Sequence, residues 1–268
     1  MLFSDLDLSR RLERAEGFAC VQQAEARRRH SPTSGAAWIE CGGAYAVFDG
    51  IDSPCTQTFG LGLFQELSPA TLDTIESFFR ERGAQVFHEV SPFAGVETLA
   101  MLCERAYRPI EMTSILYQPV VQPAAALPSG VTVRVAGPEE TDLWSQINTS
   151  GWAHDHPELG TFLLELGSVM ASRKQTVSFL AEIGGQPRAA GALCLDEGVA
   201  LFAGAATMHE YRGRGLQSAL LRERMRYAFE HQCDLAMMGA LPGSNSQRNA
   251  ERNGFQIAYT RTKWQLSN

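Results

Sequence analysis

Residues Leu201 to Leu221 read LFAGAATMHEYRGRGLQSALL, and the rest of the 268-residue chain can be placed outward from them. An apolar run of strand length, Val199 to Met208, passes through a short polar turn into Arg212-Gly213-Arg214-Gly215. Leu216-Gln217-Ser218-Ala219-Leu220-Leu221 then opens a helical pattern. A helix that starts directly after glycines presents unpaired N–H groups and the positive end of its dipole. Glycine also lets a phosphate approach the backbone with no Cβ in the way. The two arginines add charge. The loop lacks the lysine and Ser/Thr of a P-loop, and it is not the three-glycine dinucleotide fingerprint.

Downstream, Asp234 to Leu241 reads as a strand and Asn245 to Asn253 as a short helix, followed by Gly254-Phe255 and a final strand, Ile257 to Leu266. With this order behind it, Tyr-Arg-Gly-Arg-Gly-Leu-Gln-Ser-Ala-Leu-Leu resembles the acyl-CoA pyrophosphate loop of the GCN5-related N-acetyltransferases (GNAT family), Gln/Arg-x-x-Gly-x-Gly/Ala. Arg212 and Gly215 match, while Gln217 stands where the last Gly/Ala is usual. The resemblance covers residues of about 130 to 268. It implies an α+β (mixed α/β) fold with a mixed, mostly antiparallel sheet flanked by helices and a CoA cleft between two splayed parallel strands. The co-substrate it implies is acetyl-CoA.

Working back towards the N-terminus, Gln118 to Gly130 carries three prolines among small residues and reads as a stiff connector. The boundaries expected are therefore a lobe at 1–120, a linker at 121–130 and an acetyltransferase domain at 131–268. In the first lobe, Leu8, Leu12, Ala15 and Ala19 fall at helical spacing, and Arg27-Arg28-Arg29-His30 reads as a solvated helix end with Glu13, Glu16 and Glu25 around it. Gly42-Gly43 predicts a hairpin, Thr56 to Phe64 a strand, and Ser68-Pro69 a helix start. The element order of this half repeats that of the second, which points to two copies of one fold. In the place of the arginine-glycine loop it has Phe64-Gln65-Glu66-Leu67, an acid where a phosphate would lie. The expectation is a degenerate lobe that does not hold CoA.

Composition sets outer bounds. A net charge of −7 argues against nucleic-acid binding. Six cysteines without Cys-x-x-Cys spacing indicate neither a zinc site nor a disulfide framework, and they read as reduced, mostly buried thiols. With no signal-like N-terminus and no apolar stretch of spanning length, a cytoplasmic protein that does not engage membranes is expected.

The resemblance also assigns roles. Ala206, Thr207 and Met208 would offer main-chain groups to the pantetheine arm, Arg212, Gly213, Arg214, Gly215, Leu216, Gln217 and Ser218 would take the pyrophosphate, and Asn249 would make a further contact. His154 and His156, in the loop Trp152-Ala153-His154-Asp155-His156-Pro157, are candidate bases, imidazole being suited to proton transfer near neutral pH. Many relatives carry a tyrosine where this chain has Ala250, and Ser246, one turn earlier, is the candidate proton donor in its stead. Ser246 equally suits a helix cap. No metal is expected. The resulting expectation is an N-acetyltransferase acting on an amine, a small molecule rather than a protein, with a homodimer compatible. The rival is a non-catalytic acyl-CoA-binding module.

Overall fold

The computed structural model describes residues 3–122, 127–154 and 160–267. Among these it has seven α-helices and eleven strands. They fall into two compact units, one of residues 1–116, 239–247 and 256–268, the other of residues 117–238 and 248–255. The division is not linear as the sequence suggests. The last strand, inside the expected 131–268 domain, packs with the N-terminal unit.

In that first unit, α1 (Leu6–His30) is one helix of 25 residues, started by Asp5, whose side chain accepts the Leu8 N–H. It is followed by β1 (Ala37–Cys41), β2 (Ala44–Phe48), β3 (Gln57–Phe59), α2 (Pro69–Arg80), β4 (Phe87–Val90), α3 (Gly95–Glu104) and β5 (Tyr107–Pro119), and it is completed by β11 (Gln256–Leu266). The strand order is β1-β2-β3-β4-β11-β5. Gly42 and Gly43 both take positive φ, and this closes β1 onto β2 with Cys41 opposite Ala44. β3 is shorter than Thr56 to Phe64 because Gly60 and Gly62 turn the chain with positive φ. Ser68 caps α2 through the Thr71 N–H at 3.1 Å, with Pro69 in the first turn, as expected. Leu72, Ile75, Phe78 and Phe79 then pack with Val86, Leu102, Tyr107 and, from β11, Trp264.

Arg28, Arg29 and His30 at the end of α1 are exposed, as expected, but other polar residues of the helix are buried. Arg27 Nε donates to Asp49 Oδ1 at 2.7 Å, both side chains being almost wholly buried. Glu13 is buried too, and it meets Arg261 of β11, whose Nη1 lies 3.2 Å from Glu13 Oε2 and 2.7 Å from Glu16 Oε2. Arg261 Nε sits 2.9 Å from Glu89 Oε2 of β4, off the hydrogen-bond direction, and the Tyr259 hydroxyl donates to Glu13 Oε1. One guanidinium thus holds two carboxylates in the interior and a third at its margin. Burial pushes the Glu13 carboxyl up to about 7 despite the opposing pull of Arg261, and burial raises Glu89 as well.

This arrangement has a sign. The folded protein holds the Glu13 proton more tightly than the unfolded chain, so this carboxyl's contribution to stability is present below pH 4.5 and is lost as pH rises through about 7. Glu13→Gln is expected to flatten the decline in unfolding free energy between pH 5 and pH 8, a slope of at most about 1.4 kcal/mol per pH unit for one proton. Urea titrations at several pH values measure it; an unchanged slope in the variant would assign the decline elsewhere.

The second unit contains β6 (Val131–Val135), α4 (Thr141–Ala153), α5 (Gly160–Ala171), β7 (Thr176–Ile183), β8 (Gln186–Asp196), β9 (Val199–Thr207), α6 (Leu216–Glu230), the first residues of β10 (Leu235–Ala240) and most of α7 (Asn245–Arg252). The strand order is β10-β9-β8-β7-β6. All neighbours are antiparallel except β9 and β10, which are parallel. Trp144 and Ile147 of α4 pack on Leu180, Ala190 and Ala192. Gly151 brings the helix end against β9, since a Cβ there would lie 2.6 Å from that of Ala206 and 2.9 Å from the Thr207 nitrogen. The six cysteines are free; Cys20, Cys194 and Cys233 are buried, whereas Cys41 and Cys55 are half-buried and Cys103 is exposed. Among the described residues no helix is long and apolar enough to cross a membrane.

Candidate functional site

The parallel ladder between β9 and β10 is short. Val199, Ala200 and Leu201 pair with Leu235, Ala236 and Met237, and β9 then continues to Thr207 with only β8 beside it in the ladder. An edge of β9 is thereby left open, and a strand edge of this kind can pair with an extended ligand. The β8–β9 register shifts between Ala190 and Ala192, which face Ala206 and Ala203, so that β9 carries one extra residue there. Gly204, inside this bulge, has φ +54°.

Past the strand, the chain makes a tight turn at His209–Tyr211 and reaches the glycine loop. Gly213 and Gly215 have φ +77° and +82°, and Gly215 is the residue from which α6 starts. The first amide of the helix to bond back is that of Ala219, to the Gly215 carbonyl at 3.0 Å. The N–H groups of Leu216, Gln217 and Ser218 precede that bond, and this is the donor set an anion needs.

The side chains of the loop do more specific things than the motif suggests. Arg212 is exposed, yet its Nη2 donates to the Gly151 carbonyl at 2.7 Å and ties the loop to the end of α4. Gln217 turns away from the loop, and its Nε2 donates to Thr207 Oγ1 at 2.8 Å. Arg214 stacks on Tyr211, 5.1 Å from the ring centre, and Arg188 of β8 stacks there too at 4.5 Å. Arg188 lies far from the motif in sequence, and no pattern singled it out. It brings a third guanidinium to the loop.

Of Ala206, Thr207 and Met208, at and just past the end of β9, only Thr207 offers main-chain groups to the open edge. Ladder partners in an antiparallel pair turn alternately inward and outward. Met208 N–H already donates to the Arg188 carbonyl at 3.0 Å, its own carbonyl accepts from Tyr211, and Ala206 faces Ala190 in the same inward phase.

On α7, the Asn249 carbonyl and Oδ1 both accept from Asn253 Nδ2, at 2.7 and 3.4 Å, and the same nitrogen lies 3.5 Å from Ser218 Oγ of α6. Asn249 is therefore linked to the first turn of α6 through Asn253, a residue the motif did not mark. Ser246 does not cap the helix. Ser244 does so, its Oγ accepting the Gln247 N–H at 3.2 Å, and the Ser246 side chain is exposed. Ala250 is fully buried, so a tyrosine could not be placed there without displacing the core.

His154 ends α4, exposed, with its ring stacked on that of His209 at 3.6 Å between centroids. This sets an imidazole pair beside the Gly151–Arg212 tie. His156 lies outside the described residues. Among those that are described, no group of three or more His, Cys, Asp or Glu side chains is placed to hold a metal ion.

Fold and loop together define an acyltransferase scaffold, and comparison with known proteins agrees. Residues 140–255 match the Acetyltransferase (GNAT) family. A GCN5-related N-acetyltransferase from Kribbella flavida shares the fold with a TM-score of 0.66 at 20% identity, over 94% of this chain and 95% of that one. A tandem GNAT protein from the clavulanic acid biosynthesis pathway aligns over 100% of this chain and 98% of its own, with a TM-score of 0.58 at 13% identity. A GCN5-related N-acetyltransferase from Sphaerobacter thermophilus aligns over 79% and 72%, with a TM-score of 0.54 at 15% identity. Among curated proteins none matches the sequence. The tandem arrangement of two GNAT-like folds is thus the architecture of the whole chain.

Proposed function

We propose that the protein is an acetyl-CoA-dependent N-acetyltransferase whose acceptor is a small-molecule amine. The observation that carries this reading is the conjunction, within one unit, of the open β9 edge and the α6 N-terminus flanked by Arg188, Arg212 and Arg214. The pyrophosphate would take the N–H groups of Leu216, Gln217 and Ser218, and the pantetheine arm would pair with Thr207. Gly213 and Gly215 leave the approach clear of Cβ atoms.

In the reaction, the amine lone pair attacks the thioester carbon, the new C–N bond forms, and the C–S bond breaks with its electrons leaving on sulfur. The proton lost by the amine goes to a base, and the thiolate takes one up. His154 is the candidate base. Asn249 supports the α6 terminus through Asn253.

The N-terminal unit supports a stoichiometry of one. Its α2 terminus is capped by its own Ser68, and Phe64 fills the space over Gly43 and Gly60, where added Cβ atoms would lie 2.4 and 2.8 Å from it. Calorimetry is expected to show one acetyl-CoA per chain, and thiol release across a panel of amines to show turnover with at least one. Two equivalents bound would overturn the degenerate-lobe reading. Binding with no turnover on any amine would favour the non-catalytic acyl-CoA module instead.

A further inference from the structure

The bulge in β9 is held by three buried side chains that donate to four main-chain carbonyls. Trp144 Nε1 of α4 donates to Gly191 at 3.2 Å, and Asn148 of the same helix donates to Gly204. From α6, Arg224 Nη1 lies 3.0 Å from the Ala192 carbonyl and 3.4 Å from that of Ala203, while its Nε donates to Leu220. Ala192 and Ala203 are the ladder partners that flank the register shift. Gly191 makes room for the guanidinium, as a Cβ there would sit 3.2 Å from Arg224 Cζ.

Arg224 is 1% exposed, and its hydrogen bonds among the described residues go to main-chain carbonyls. Burial lowers its pKa to about 9, which leaves it charged at neutral pH. An apolar side chain of similar length would fill the same volume without the cost of a buried charge. The charge therefore calls for a reason beyond packing. In a trans peptide the carbonyl and the following N–H point in opposite directions. The Ala203 carbonyl faces Arg224, so the N–H of the same peptide unit, that of Gly204, points away from it, past the end of the β9–β10 ladder at Leu201. A cation on the carbonyl oxygen polarises the unit and makes that N–H a stronger donor.

We propose that Arg224 is a positioning residue for acyl transfer, holding the β9 bulge and strengthening the Gly204 N–H as a donor to the thioester carbonyl oxygen in the opening beside β9. The inference rests on the acyl-transfer reading of this site. Arg224 touches no reacting atom. It acts through the strand, on the carbonyl that becomes an oxyanion when the amine adds.

The test compares full-length wild type with Arg224→Met and Arg224→Lys, using acetyl-CoA as the probe. Affinity is measured by calorimetry, the carbonyl stretch of the bound thioester by infrared difference spectroscopy, and acceptor-independent CoA release by thiol detection. Wild type is expected to lower the carbonyl stretching frequency relative to free acetyl-CoA. The methionine variant should return it towards the free value and slow CoA release about thirtyfold, with affinity changed less than about threefold. A lysine keeps the charge but loses the fork, and should fall between. An unshifted carbonyl band in a binding-competent wild type would overturn the proposal, as would a methionine variant with wild-type band and rate, or one whose affinity falls in step with its rate. If the methionine variant does not fold, the lysine variant decides: a band at the free frequency overturns the proposal, and a retained shift supports it. A wild type without affinity for acetyl-CoA would instead remove the functional reading on which the proposal depends.

Discussion

Arg261→Met is expected to destabilise the protein more than any other single replacement in the first unit. The variant leaves Glu13 and Glu89 in the interior and Glu16 at its margin, with the guanidinium that compensated all three gone. Breaking a buried ion pair by removing one partner costs about 3 to 5 kcal/mol, because the remaining charge has neither water nor a counterion. Against a total stability of about 5 to 15 kcal/mol this is a large share. In a unit of this size it corresponds to a thermal midpoint lower by about 10 °C. Scanning calorimetry at pH 8 measures it, and the loss should shrink at pH 5, where Glu13 takes up its proton. Adding Glu13→Gln and Glu16→Gln to the arginine variant should restore most of the midpoint. A shift below about 2 °C, or no rescue, would mean that the cluster is not what holds β11 in place.

Gly215→Glu is expected to weaken acetyl-CoA binding at least about a hundredfold, roughly 3 kcal/mol. A carboxylate would stand at the mouth of the α6 terminus, where the pyrophosphate charge must come to rest. The structure adds a second effect. Gly215 is left-handed at φ +82°, and a Cβ would lie 3.1 Å from Pro128 Cγ, so any side chain here also strains the loop. Gly215→Asn separates the two contributions, since asparagine tolerates this conformation and carries no charge. Both variants should lose some thermal stability and, with a Cβ in the phosphate's approach, some affinity, but the glutamate variant should lose markedly more in calorimetric titration because of its charge. Wild-type affinity in both would detach this loop from phosphate recognition.

The loop was legible because its chemistry is local. Gly213 and Gly215 stand where left-handed backbone is required, and the strand before them and the helix after them follow from periodicity over a few residues. The pantetheine edge was legible only in part. Strand alternation decides that Thr207 faces out while Ala206 and Met208 face in, and the bulge at Gly204 sets that phase. Arg224 was not visible at all, because Leu-Arg-Glu-Arg-Met-Arg reads as a solvated helix face, and its carbonyl partners lie on strands up to 32 residues away. Glu13 and Glu16 were misread for the same reason at longer range. Their arginine is 248 and 245 residues distant, and a stretch rich in both signs of charge looks exposed until the far partner is known.

β11 lies between β4 and β5 in the sheet order of the first unit, and Trp264 belongs to its core. During synthesis, residues 1–116 leave the ribosome without the strand that fills this gap, and about 140 further residues must be translated before residue 256 exists. At bacterial or eukaryotic elongation rates that is a wait of about 7 to 28 s. Throughout it, two strand edges and a buried-to-be carboxylate pair stay open to solvent and to other chains. The nascent chain is thus most exposed to chaperones and to mispairing in the interval when its N-terminal half is already complete in length.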